Sequence, residues 1–172
     1  MYSLLLDSAN RDLNVGLVKN NHIIDRISYQ AWQRQSELMA VEVDAILKRN
    51  NISAKDIGEV VVTIGPGSYT GLRVGLALAK GMALGQNLPL IGVPTLDIVA
   101  AAINRLDTDL VVLALAGRSR LWAGQYSWTD KRGWEPEGDP VLTQWDDLLG
   151  RIQVPVAFAG EIDAAAAKLI RR

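Results

Sequence analysis

The chain opens on a short apolar run, residues 2–8 (YSLLLDS), which ends in Asp and Ser like a buried strand meeting a turn. Residues 13–20 (LNVGLVKN) follow as a second strand. Asn20-Asn21 makes a two-residue hairpin turn, and residues 22–30 (HIIDRISYQ) alternate as a third strand. Short turns make these three an antiparallel meander. The period then changes: Ser36 is placed to cap a helix over 37–50 (ELMAVEVDAILKRN), which Asn50-Asn51 ends. Residues 59–64 (EVVVTI) are β-branched and apolar on both faces, which predicts a central strand. A glycine-rich turn then leads into a helix over about 70–84. Residues 88–94 (LPLIGVP) form a short strand, and 95–106 (TLDIVAAAINRL) a helix capped by Thr95. The first hundred residues read β-β-β-α-β-α-β-α.

A second region begins near Asp107. Residues 109–117 and 120–128 read as two strands joined by a turn, and 129–140 (TDKRGWEPEGDP) as a turn-rich loop. Thr143 is expected to cap a short helix over 144–149, with a strand over 154–160 and a closing helix over 161–172 that lacks a C-cap glycine. The pattern predicts an α/β protein of two subdomains, 1–104 and 105–172.

The helices carry more apolar surface than one sheet can cover. Over 70–84 only Arg73 and Lys80 are charged, and a helix apolar nearly all round must be buried on several sides. Gly71, Gly75 and Ala79 recur every four residues, a ridge of small residues that admits close approach, with Leu72, Leu76 and Ala83 beside it. The earlier helix sets Leu38, Val41 and Ala45 on one side and Met39, Val43, Ile46 and Leu47 on another. The uncovered rows fall either to the second subdomain or to a partner subunit.

Composition narrows the function. Hydrophobic residues make up 49% of the 172, which fits a packed globular chain. A formal charge of −1 with no basic stripe argues against direct nucleic-acid binding. There are no cysteines, and His22 is the single histidine, so thiolate sites and paired-histidine metal motifs are excluded. The N-terminus lacks the basic start of a signal peptide and no run is long enough to span a membrane, so a cytoplasmic protein is expected. The five tryptophans lack basic neighbours and read as packing residues, not base-stacking platforms.

Candidate chemistry centres on the glycine turn. Gly65, Gly67 and Gly71 stand between strand and helix, where backbone amides can hold an anion, but the GxGxxxG spacing supplies no P-loop lysine. The alternative is a tight turn with close helix packing. Asp7 ends the first strand, where a carboxylate can hold a metal–phosphate or close its own turn by side-chain to backbone bonds. Ser68, Tyr69 and Thr70 offer hydroxyls but no base, which makes a peptidase the weakest reading. The nucleotide-proximal candidates are Asp7, Gly65, Gly67, Ser68, Thr70 and Gly71; they would serve a small actin-type ATPase or kinase.

Residues 65–85 (GPGSYTGLRVGLALAKGMALG) closely resemble the signature of the TsaB family, also called YeaZ. Supporting matches are LLLDSA in the first strand, the SELM…ILKRNNIS helix and LPLIGVPTLDIVAAA. The resemblance implies an actin-like ATPase (ASKHA, RNase H-like) fold and a non-catalytic scaffold or activator role in tRNA threonylcarbamoyladenosine formation. It implies a TsaD-like catalytic partner, a TsaE-like ATPase, a homodimer when alone, and contact with tRNA only through the complex. No intrinsic cofactor or metal is expected; the resemblance leaves ATP or ADP with Mg to be held, if at all, only in the complex. The implied interface comprises Leu38, Val41, Ala45, Leu72, Arg73, Gly75, Leu76, Ala79 and Met82. Gln35 stands where the family often has histidine, and LAGRSRLW keeps Arg118 but has Leu115, Ser119 and Arg120 at acidic and glycine positions. Family chains continue through a further segment, so the second subdomain is expected to be shortened.

Overall fold

The computed structural model describes residues 1–31, 33–162 and 164–170; Trp32, Asp163 and residues 171–172, where the closing helix was expected to continue, lie outside them. Two compact units divide the chain, Met1–Val93 and Pro94–Arg172.

In the first unit, β1 (Tyr2–Asp7), β2 (Asp12–Lys19) and β3 (His22–Gln30) form the expected antiparallel meander. Asn20 and Asn21 both take positive φ, 51° and 61°, as a primed hairpin turn requires. Helix α1 (Gln35–Arg49) and one 3₁₀ turn lead to β4 (Ile57–Gly65), which lies parallel to β1. Helix α2 (Tyr69–Gln86) returns the chain to β5 (Leu90–Pro94), giving the sheet order β3-β2-β1-β4-β5. This is the actin-like, RNase H-like arrangement.

Alternation decides which sheet face is covered. Leu4 and Leu6 stand in register with Leu17 and Val15 on one side and Val60 and Val62 on the other, and all six are buried. Met39, Val43, Ile46 and Leu47 of α1 and Ala79 of α2 join the same core, so both helices cover this one face. Ser3, Leu5, Asp7 and Asn14 point the other way, where neither helix packs.

The second unit packs both faces of its sheet. It comprises α3 (Thr95–Ala101), β6 (Asp109–Gly117), β7 (Arg120–Thr129), β8 (Gly133–Pro136), β9 (Val141–Thr143), α4 (Trp145–Arg151), β10 (Val156–Gly160) and α5 (Ala164–Ile170). The strand order is β10-β6-β7-β8, with β9 also on β7 and β10 parallel to β6. Leu96 and Ala100 of α3 meet Leu110, Val112, Ala114 and Tyr126 on one face. Leu148 of α4 meets Val111, Leu113, Leu121 and Ala123 on the other.

Several expectations are corrected. The boundary falls before α3, not after residue 104, because α3 packs on β6, β8 and β10. Helix α3 stops at Ala101, short of residue 106, and the Ile103 carbonyl accepts instead from the Trp134 indole, 3.0 Å away. The expected loop over 129–140 contains β8: Gly133 (φ 79°) makes its turn and Pro136 closes an edge strand, so residues that read as breakers only bound it. Trp128 and Trp134 face each other across β7 and β8, rings edge to face at 5.4 Å. Ser36, Thr95 and Thr143 are not caps, since α1, α3 and α4 are preceded by Arg34, Pro94 and Gln144 without side-chain cap bonds.

Candidate functional site

The glycine turn is built around the end of β1. Ser68 caps α2, its Oγ accepting the Gly71 N–H at 3.2 Å. The Ser68 N–H donates to the Ala9 carbonyl, and Ser8 Oγ donates to the Gly71 carbonyl at 2.8 Å. A Cβ at Gly67 would collide with the Ala9 carbonyl, and one at Gly71 with that of Ser8. Gly65 takes φ 102°, which favours glycine. These glycines let the β1 turn lie directly on the start of α2.

Asp7 is engaged locally. Its Oδ1 accepts the Ala9 N–H and its Oδ2 the Asn14 amide, each at 3.0 Å, and Asn14 Oδ1 accepts from Ser28 Oγ at 2.6 Å. The result is a polar ladder across β1, β2 and β3 on the face without helices. An Mg–phosphate held by this unit alone does not fit these residues: both Asp7 oxygens have protein partners, and Ser8 and Ala9 fill the space against Gly67 and Gly71. Among the described residues no group of three or more His, Cys, Asp or Glu could hold a metal ion. A small cavity beside the turn, about 310 Å³, brings Ser68 and Thr70 together with Gln33 and Gln35. Gln35 is buried and its Nε2 donates to the Asn10 carbonyl at 3.3 Å.

The helix pair splits into an inner and an outer face. Gly71, Gly75, Ala79 and Ala83 are the buried side of α2, and a Cβ at Gly75 would lie 2.8 Å from Ser8 Oγ. The interface set is corrected here: Gly75 and Ala79 belong to the unit's own core, because the small ridge admits β1 and β4, not an outside helix. Leu38, Leu72, Leu76 and Met82 are half-buried at the margins, while Val41 is 58% exposed and Ala45 and Arg73 are exposed. Two further residues with exposed apolar surface were not assigned to the interface from the sequence: Tyr69, 74% exposed, and Leu84, 84% exposed. Helical phase could have found them, since Leu84 falls about 180° and Tyr69 about 120° from Gly75 around α2.

In the second unit a buried tyrosine meets a half-buried carboxylate. Tyr126 is 2% exposed and its hydroxyl donates to Asp97 Oδ1 at 2.6 Å. Burial, and then the Asp97 carboxylate, push the phenol well above its ordinary range. The β6–β7 turn runs through Gly117, Arg118 and Ser119, all at positive φ. No described helix is long and apolar enough to cross a membrane.

Comparison with known proteins follows the same lines. The family described as "TsaD: tRNA N6-adenosine threonylcarbamoyltransferase" matches residues 29–150. A Bacillus subtilis protein, "tRNA threonylcarbamoyladenosine biosynthesis protein TsaB", is 28% identical over 93% of this chain and 71% of its own length. The Escherichia coli protein of that name is 30% identical over 89% of this chain and 67% of its own. Among solved structures, YeaZ from Pseudomonas aeruginosa superposes with a TM-score of 0.78 at 18% identity, over 92% of this chain and 75% of that one. Sequence likeness to relatives and shared fold agree: the chain belongs to the TsaB (YeaZ) family.

Proposed function

We propose that this chain is an accessory subunit of tRNA threonylcarbamoyladenosine biosynthesis that docks, through the outer face of α1 and α2, onto a TsaD-type catalytic subunit. The carrying observation is that Val41, Tyr69 and Leu84 are exposed apolar residues on helices whose inner faces already fill their own core. A TsaE-type ATPase joins the assembly, and tRNA, nucleotide and Mg are held mainly by those partners. The local bonding of Asp7 supports a scaffold role over an ATPase or kinase of its own. The test is co-elution with the TsaD-type subunit on a sizing column. Val41→Asp and Leu84→Asp should abolish it while the isolated chain keeps its circular dichroism; undiminished co-elution would overturn the reading. Gly75→Glu is unsuitable as a probe, since it strikes the core of the unit itself. Mg-ATP turnover by the isolated chain, lost in Asp7→Ala, would establish the ATPase instead.

A further inference from the structure

The starts of the two long helices of the first unit converge on one cavity of about 310 Å³. Gln33 and Gln35 line it at the head of α1, and Ser68 and Thr70 at the head of α2. A helix leaves its first N–H groups without intrahelical acceptors. At α2 Ser68 Oγ takes the Gly71 N–H, which leaves those of Tyr69 and Thr70. At α1 Arg34 gives no side-chain cap, which leaves those of Gln35 and Ser36. Two positive helix ends therefore meet in a cavity that no charged side chain lines among the described residues. Such ends favour an anionic group.

The same cavity carries an acceptor that an anion cannot use. Gln35 is 3% exposed, and its Nε2 is turned to the Asn10 carbonyl, which can only accept. That bond fixes the orientation of the amide. Its Oε1, which has no protein partner among the described residues, is left to the cavity. An acceptor on so buried a side chain calls for a donor. Donors are short here: Asn10 Oδ1, on the residue that Gln35 bonds, is also buried without a partner.

N–H groups at two helix starts and a free acceptor on Gln35 suit a ligand that carries both charges and no net charge. A simple anion would set an oxygen against Gln35 Oε1, and a simple amine would face two positive helix ends. At about 310 Å³ the cavity stands at the low end of the range for small-molecule sites, about 300–1,000 Å³. We propose that this cavity binds a free α-amino acid, its carboxylate on the first N–H groups of α1 and α2 and its ammonium on Gln35 Oε1. The site is separate from the outer helix face and does not rest on the docking reading.

The test follows the backbone amide NMR signals of the whole isotope-labelled chain during titration. The probes are L-alanine, propionate (the same skeleton without the amine), ethylamine (without the carboxylate) and inorganic phosphate. L-Alanine should shift the Gln35, Ser36, Tyr69 and Thr70 amides saturably. It should bind at least tenfold more tightly than propionate or ethylamine, since each fragment lacks one charge-assisted contact. No saturable shift with L-alanine overturns the proposal. So does propionate, phosphate or ethylamine binding as tightly as L-alanine. Two variants separate the ligand's ends. Gln35→Met removes the acceptor and should weaken L-alanine at least tenfold while leaving propionate unchanged. Tyr69→Pro removes one N–H at the first helical position, where proline is tolerated and Ser68 is already extended (ψ 116°), and should weaken both. Equal losses of L-alanine and propionate in Gln35→Met overturn the ammonium contact, and an unaffected Tyr69→Pro overturns the carboxylate contact. Gln35→Met also gives up the bond to Asn10; if it does not fold, the wild-type ratio of L-alanine to propionate decides the ammonium contact by itself.

Discussion

The two sheets of this protein are covered differently, and strand burial records it. Along β2 buried and half-exposed residues alternate from Leu13 to Val18, because α1 and α2 occupy one face only. Along β6, Leu110 to Ala114 are buried without a break, because α3 lies on one face and α4 on the other. Continuous apolarity in a strand therefore reports two layers, and alternation reports one layer with a face to spare. The spare face of the first unit carries the Asp7–Asn14–Ser28 ladder, so the polar chemistry of β1 sits where no helix covers it.

The largest expected effect tests how closely the first unit's layers approach. Gly71→Leu must displace the Ser8 carbonyl and should destabilise by more than about 3 kcal/mol in urea unfolding. Gly150→Ala, which lies in α4 and meets nothing nearby, should be neutral or stabilising by up to about 1 kcal/mol. A near-neutral Gly71→Leu would mean that β1 and α2 are not in contact.

Paired alanine substitutions within one strand address the layer count itself. On β6, Leu110→Ala and Leu113→Ala face opposite layers, and each should cost about 2–5 kcal/mol. On β1 the neighbours should differ: Leu6→Ala in that range, Leu5→Ala below about 2 kcal/mol, because only Leu6 faces the helices. Equal costs at Leu5 and Leu6 would break the contrast.

Polar partners come next. Asp7→Ala leaves the Ala9 N–H and the Asn14 amide without their acceptor and should cost about 1–3 kcal/mol. In the second unit, Tyr126→Phe orphans Asp97 and should cost about 1 kcal/mol. The folded-state pKa of Tyr126 lies above its unfolded value. Its contribution is therefore complete below about pH 10 and is lost as pH rises toward the folded value, a slope that Tyr126→Phe should flatten.

The smallest effect has the opposite sign in pH. Asp25 on β3 accepts from Arg49 and Asn50, each at 2.7 Å, and the Arg49 bond holds its carboxyl below the ordinary range. A depressed carboxyl contributes stability above its unfolded pKa of about 4, lost as pH falls through the folded value. Exposure limits the contribution to less than about 1 kcal/mol. Asp25→Asn should therefore shift the acid midpoint slightly and leave alkaline unfolding unchanged, whereas Tyr126→Phe should do the reverse.

Much of this was legible in the sequence. The Asn20-Asn21 turn, the meander, both long helices and the central β4 follow from period and turn chemistry, which are local. The caps were less legible, because α1, α3 and α4 start without side-chain caps while Ser68, not expected as one, caps α2. The strand β8 was hidden by Gly133 and Pro136, which punctuate its ends.

The site shows the same division more sharply. Sequence alone determined that α2 has a ridge of small residues, a surplus of apolar surface and two cations two turns apart. It could not determine what approaches that ridge. Only the tertiary structure decided that Gly71 and Gly75 receive the turn after β1, from Ser8, 63 residues before Gly71. A helix repeats its faces every 3.6 residues whatever lies against them, so periodicity names the faces and the fold assigns their neighbours.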